Sequence, residues 1–247
     1  MNPATDLRTL VQLFRGQSKE GDHAQRLERF YAPQADGYDA FRDRLLSGRE
    51  SLIDLLDLPD GSRVVELGCG TGRNLDFFGD RVGAFASVDL VDVCNPLLDQ
   101  ARRRAARWPS IVRVMQADAE LYRPANPVDC VYLSYSLSMT ANWKKAICNA
   151  VRMLRPGGIL GVVDFYVSEA SPPPGRVRHG RFTREFWPRW FSHDGVNLTP
   201  EHLRSLADFT DRVHLEEKLA PLPWLPMVRV PYYIHIGRKR PNDRRRY

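Results

Sequence analysis

Apolar residues recur at helical spacing over residues 5–15 and 22–57, with Leu45, Leu46, Leu52, Ile53, Leu55 and Leu56 on the repeating positions of the second segment. DLPDGSR (Asp57 to Arg63) has the composition of a turn. RVVELGCGTG then starts as an apolar strand and ends in a glycine loop, and RNLDFFGD opens a helix. The same alternation repeats. AFASVDL (Ala84 to Leu90) predicts a strand, and Asn95 to Trp108 a helix with Asn95 as cap and Pro96 at its first position. IVRVMQAD is a third strand and Val128 to Ser138 a fourth, followed by a helix through Met153. RPGG is a turn and Ile159 to Val167 a fifth strand. Strands alternating with helices at this spacing predict βαβ units, hence an α/β fold with a mostly parallel sheet and helices on both faces.

The alternation stops after Val167. SPPPG (Ser171 to Gly175) cannot continue a strand, because proline lacks the donor that a ladder needs. Thr199 to Phe209 predicts a helix with Thr199 at the cap and Pro200 at the first position. RVHLEEKL and MVRVPYYIHIGRK predict two closing strands, an antiparallel hairpin at the end of the sheet. The expected organisation is one domain over 1–247. It has a helical cap (1–57), a core (63–167), an insertion (168–210), closing strands (211–239) and a basic tail (240–247).

Composition refines this only locally. Of 247 residues 43% are hydrophobic and 27% charged, which is ordinary for a globular chain. The four cysteines form no C-x-x-C pair, so a zinc site, a thioredoxin-type motif and a disulfide framework are disfavoured and no metal is expected. No stretch of 18 apolar residues occurs, and the N-terminus lacks the apolar core of a signal peptide. A cytoplasmic address is expected. The net charge is +6, of which RKRPNDRRRY at the C-terminus supplies +5. A uniformly basic nucleic-acid face is therefore not implied, and no nucleic-acid partner is expected. Arg176 to Phe191 holds five Arg, five Phe or Trp and one acid. Two readings stay open for it: aromatic core packing with Arg turned to water, or an interfacial segment at an anionic membrane. In the second, Arg178, Arg181, Phe186, Trp187 and Trp190 make the lipid contacts.

V-V-E-L-G-C-G-T-G (Val64 to Gly72) fits neither the dinucleotide fingerprint, whose third glycine would fall on Arg73 or Leu75, nor a P-loop, which needs G-K-S/T. It fits E-x-G-x-G-x-G with Glu66 at its head. This motif resembles the first motif of class I S-adenosylmethionine methyltransferases. Four further segments keep the order of that superfamily: Asp89, 21 residues after Gly68; Ala117-Asp118-Ala119; L-S-Y-S-L-S; and L-R-P-G-G-I-L. The resemblance implies a Rossmann-like fold, S-adenosylmethionine as cofactor and S-adenosylhomocysteine as product. Glu66, Gly68, Cys69, Gly70, Gly72, Asn74, Leu90 and Ser134 are the implied cofactor contacts, with Asp89 on the ribose hydroxyls and Asp118-Ala119 at the adenine.

The flanks resemble a narrower family, the methyltransferase of betaine-lipid synthesis, in Tyr38 to Arg49, in Leu133 to Met139 and in Asn197 to Leu203 with Leu225 to Lys239. That resemblance implies successive trimethylation of diacylglyceryl-homoserine at the inner face of the membrane. Its expected partners are a lipid headgroup, an anionic membrane surface met peripherally, and the enzyme that supplies the homoserine lipid. Tyr38, Arg42 and Arg49 are candidates for the methionine end of the cofactor, where Arg suits a carboxylate. Tyr135, at the carboxyl end of the fourth strand, is the candidate lining of the amine site, or else packs beneath the N-terminal helix. His179, His193, His202 and His235 are candidate bases. A methyltransferase for a small soluble amine or a quinone, a catalytically silent scaffold and an RNA methyltransferase remain alternatives.

Overall fold

The computed structural model describes residues 38–193, 195–222 and 225–241. Seven strands form one sheet: β1 (Arg63–Leu67), β2 (Ser87–Asp92), β3 (Val112–Gln116), β4 (Val128–Ser134), β5 (Leu154–Phe165), β6 (Thr210–Leu222) and β7 (Leu225–Lys239). Their order is β3-β2-β1-β4-β5-β7-β6. β1 to β5 pair in parallel, whereas β7 runs antiparallel between β5 and β6. The expected α/β sheet with a closing hairpin is the one observed. Strand order reverses between β1 and β4, which opens a crevice at their carboxyl ends.

Both faces are covered. Alternate residues of β4 point opposite ways: Cys130 and Tyr132 join one core cluster, Val131 and Leu133 the other. On the first face lie Leu52 and Ile53 of α2 (Arg49–Leu55), Phe78 of α3 (Asn74–Phe78) and Leu98 of α4 (Asn95–Ala105). On the second lie Ile147 and Val151 of α5 (Trp143–Met153) and Leu206 of α7 (Glu201–Phe209). A parallel sheet so covered needs apolar residues on both faces, hence near-continuous apolar strands.

Several boundaries differ from expectation, each for a local reason. The helix expected over 22–57 is, within the described residues, two helices: α1 (Tyr38–Leu45) and α2. Gly48, at φ 84°, separates them. Helix 5–15 lies outside the described residues. β4 stops at Ser134, because Tyr135 takes φ 54° and Leu137–Met139 forms a 3-10 turn. RPGG is not a turn between elements but a bulge within β5: pairing shifts from Val128↔Leu154 to Cys130↔Ile159. Cys94, not Asn95, occupies the cap of α4. Pro200, not Thr199, occupies the cap of α7, and the Thr199 hydroxyl just before it accepts from the Glu201 N–H at 3.2 Å.

The insertion contains α6 (Arg181–Ser192) and then α7. Trp187, expected to meet lipid, is only 4% exposed and packs in the core, and Phe186 and Trp190 are half-buried. The apolar side of an amphipathic helix goes to whichever apolar surface is at hand, and here that surface is the protein's own. Arg178 and Arg181 are exposed. Among the described residues no helix is long and apolar enough to cross a membrane.

Gly48→Ala tests the helix break. A Cβ at this positive φ would lie 2.6 Å from Cε2 of the buried Tyr232. The variant is expected to lose roughly 1–3 kcal/mol of stability in urea denaturation, from strain and overlap together. A variant as stable as the parent would show that the break is not fixed by the glycine.

Candidate active site

The crevice at the carboxyl ends of β1, β2 and β4 encloses about 930 Å³, its open mouth included. The glycine loop after β1 forms its floor. Gly68 N–H and Cys69 N–H both donate to the Val91 carbonyl, at 2.7 and 3.0 Å, and Gly70 N–H donates to Asp92 Oδ2 at 2.8 Å. Gly68 sits at φ 73°, and a Cβ there would come within 2.3 Å of the Ser136 Cβ. Only glycine permits both the turn and the close approach of the Ser134–Ser136 segment.

Eleven of the expected residues line this one crevice: Arg42, Arg49, Glu66, Gly68, Cys69, Gly70, Asn74, Asp118, Ala119, Ser134 and Tyr135. Gly72 does not line it but sets helix packing, with Leu90 and Ala101 where its Cβ would be. Tyr38 opens α1, and its side chain lies outside the described residues.

The acid expected on the ribose is corrected. Asp89 is mid-strand and buried, and it accepts hydrogen bonds from Arg113 Nε at 2.7 Å, Arg113 Nη2 at 3.0 Å and the Tyr122 hydroxyl at 2.7 Å. Leu90 is likewise core and not cofactor lining. β2 runs two residues further than the sequence pattern suggests, so Asp92 is the acid at its carboxyl end, and it lines the crevice. Asp92 Oδ1 accepts from Cys94 N–H at 2.9 Å while Oδ2 holds Gly70. The available signal was position: Asp92 is the last acid before the Asn95-Pro96 helix start, and α/β sheets present ligand groups at strand ends.

Glu66 lies beneath the loop, 1% exposed. Asn74 Nδ2 and the Tyr132 hydroxyl donate to it at 2.6 and 2.8 Å. Burial pushes its carboxyl up to about 7, against the opposing pull of the two hydrogen bonds and of Arg49. Ser134 Oγ and Asn74 Oδ1 are buried at this site without a hydrogen-bond partner. Buried polar atoms are rarely left so in a native structure.

Tyr135 contributes its ring. Its hydroxyl donates to the Ser47 carbonyl at 2.6 Å, and burial holds its proton well above the usual phenol range. Its ring packs 4.6 Å from Phe165, which packs 4.9 Å from Phe191 of α6. None of the four candidate histidines lines the crevice. His179 accepts from Ser168 N–H at 3.0 Å, and His235 meets Thr210 Oγ1 at 3.3 Å. His202 is buried against Trp143, and burial lowers it to about 4. His193 is exposed just past α6.

Sequence reasoning also missed Asp164. This buried carboxylate accepts from Ser138 N–H, Ser138 Oγ and Phe165 N–H at 2.9, 2.6 and 2.7 Å. It fixes the Leu137–Met139 turn, which carries Met139 into the crevice wall. Burial raises its carboxyl to about 6. Among the described residues no group of three His, Cys, Asp or Glu is placed to hold a metal ion.

The sheet order and crevice define a methyltransferase-type Rossmann-like fold. Residues 64–158 match a family profile described as a methyltransferase domain. The chain is 30% identical over 152 residues to the ubiquinone/menaquinone biosynthesis C-methyltransferase UbiE of Nitrosospira multiformis, covering 59% of this chain and 62% of that protein. It thus spans about three fifths of the length of the curated relatives it matches. Solved structures share the fold at low identity. The N-methyltransferase NodS of Bradyrhizobium japonicum, in complex with S-adenosyl-L-homocysteine, superposes with TM-score 0.64 at 18% identity, over 88% of this chain and 99% of that one. A phosphoethanolamine N-methyltransferase of Haemonchus contortus reaches 0.69 at 14%, over 90% and 61%.

The raised carboxyl of Glu66 makes stability pH-dependent with a defined sign. Its folded value lies above the unfolded one, so its contribution is fully present below about 4.5 and is lost as pH rises through about 7. Asp164 acts in the same direction up to about 6. Glu66→Gln mimics the neutral acid. Its stability relative to the parent should rise between pH 5 and pH 8 by on the order of 2–3 kcal/mol, read by urea denaturation at both pH values. An unchanged difference would show that Glu66 titrates normally.

Proposed function

We propose that this chain is an S-adenosylmethionine-dependent N-methyltransferase that trimethylates the amine of a diacylglyceryl-homoserine headgroup. The observation that carries the cofactor assignment is the crevice itself. A glycine floor, a strand-end acid at Asp92 and two orphaned polar atoms, on Ser134 and Asn74, converge there. Asp92 would accept the ribose hydroxyls, Asp118 and Ala119 would flank the adenine, and Arg42 and Arg49 would face the carboxylate. The bound cofactor supplies an electrophilic methyl group on a sulfonium.

The rest falls to the chain. In-line displacement needs orientation more than acid–base chemistry, and orientation in well-aligned systems is worth ~7–11 kcal/mol. The acceptor nitrogen must be unprotonated, and the Tyr135 phenol is not its base, because burial and the Ser47 bond hold its proton. The Tyr135 ring instead gives an aromatic face for the growing quaternary ammonium, at ~0.5–2 kcal/mol per contact. The lipid assignment is supported by the flanking resemblances and by the aromatic, arginine-rich α6, which reaches the crevice through Phe191, Phe165 and Tyr135. Similarity to quinone C-methyltransferases favours a second reading, transfer to a quinone ring carbon.

The test is transfer of labelled methyl from S-adenosylmethionine into a total lipid extract, read by mass spectrometry. Mono-, di- and trimethylated amine lipid in succession is expected. Label confined to quinones establishes the second reading and overturns the first. Calorimetry with S-adenosylhomocysteine tests the cofactor site. Asp92→Ala should weaken binding by ~1–3 kcal/mol, the penalty for leaving polar partners unpaired. Asp89→Ala should lower stability, since it strands Arg113 and Tyr122, yet leave affinity within a few-fold of the parent.

A further inference from the structure

The β6–β7 hairpin overhangs the sheet on the crevice side. β5 ends at Phe165, whose partner on β7 is Tyr232, so residues 225–231 extend past the carboxyl edge of the parallel strands. α6 packs at the root of this overhang, where Phe191 meets Phe165, the residue paired with Tyr232, at 4.9 Å. Trp187 and Phe191 share one core cluster with Ala220 and Val230 of the hairpin. The two elements form a cap at the end of the molecule where the crevice opens.

The outer surface of this cap is unlike a solvated one. Phe182, in the first turn of α6, is 75% exposed and stacks on Phe186 at 5.2 Å and 13°. Met227, near the hairpin tip, is 94% exposed. Exposed arginines lie on the same two stretches of chain. Arg178 precedes α6, Arg181 and Arg189 lie on it, and Arg229 stands two residues after Met227 on β7, all four exposed. Glu185 is the lone acid of Arg176 to Phe191, and both Arg181 and Arg189 lean on it.

We infer that this cap face docks on an anionic phospholipid bilayer, with Phe182 and Met227 entering the interface and Arg178, Arg181, Arg189 and Arg229 meeting the headgroups. Charge selects the occupant. A cationic rim repels a second copy of itself and attracts an anionic surface. Two large side chains without polar tips suit hydrocarbon, where an RNA would offer only bases and phosphates. The core position of Trp187 is consistent, since the buried side of α6 holds the cap while its first turn meets lipid. Docking at this end would present the crevice to headgroups without drawing acyl chains from the bilayer. This inference deepens the lipid-headgroup reading and rests on it for its purpose, but not for its observation.

Vesicle sedimentation of the full chain tests it, with phosphatidylcholine alone and with added phosphatidylglycerol. Binding should need the anionic lipid and should weaken, without vanishing, at ~0.5 M salt, where charge is screened within a few ångströms. The Phe182→Ala/Met227→Ala double variant changes only exposed side chains. It should bind anionic vesicles roughly tenfold more weakly and lose the salt-resistant part. Arg178→Glu/Arg181→Glu should lose the salt-sensitive part. The double variant should methylate a soluble, short-chain headgroup amine as the parent does but fall behind on vesicle-embedded acceptor. No binding of the parent to anionic vesicles, or undiminished binding by the double variant, overturns the inference. So does equal retention by an RNA oligonucleotide that depends on the arginines alone. Intact vesicle binding without methylation of either amine would overturn the lipid-headgroup reading and leave the docking face standing.

Discussion

The structure depends on the joint between the glycine loop and the end of β2. One carbonyl, Val91, takes the N–H groups of Gly68 and Cys69, and one carboxylate, Asp92, takes those of Gly70 and Cys94. These bonds hold the loop open at positive φ, where Ser136 occupies the space a side chain would need. They also settle which acid faces the crevice. With Asp92 fixed at the strand end, Asp89 is turned to Arg113 and Tyr122, and Glu66 is left beneath the floor in a dry site that favours its neutral form.

A second set of contacts ties the crevice to the insertion. Asp164 grips Ser138 by backbone and side chain, and the Ser138 carbonyl accepts from Asn197 N–H at 2.7 Å, between α6 and α7. Beside it runs the aromatic series Tyr135, Phe165, Phe191. The wall of the crevice and the cap are therefore one packed unit. Close-packed interiors transmit displacement poorly absorbed by side-chain slack, so a change at the cap would be felt at Tyr135.

Periodicity and glycine spacing made the sheet, the loop and most of the crevice legible. Glycines were legible because backbone geometry at Gly68 and Gly70 excludes other residues, and such constraints leave a spacing in the chain. The Asp89 assignment went astray because both acids sit in an apolar strand whose end the pattern placed two residues early. What separates the mid-strand acid from the strand-end one is distance to the Asn95-Pro96 helix start, a weaker signal than the apolar run itself. Asp164 was invisible because its partners at Ser138 are 26 positions away. Trp187 and Trp190 showed an amphipathic helix but not which surface would cover it. The start of α7 was legible to within one residue, because Thr199 and Pro200 act on the turn that follows them.

We propose that the loop–β2 joint builds a nucleoside site around Asp92. A crystal structure of the complex with S-adenosylhomocysteine tests it most directly. The expected result is ribose hydroxyls within hydrogen-bond reach of Asp92, polar contacts from Ser134 or Asn74 to the ligand, and Asp89 still bound to Arg113 and Tyr122. Ribose on Asp89, or a ligand outside the β1–β2–β4 crevice, would contradict it.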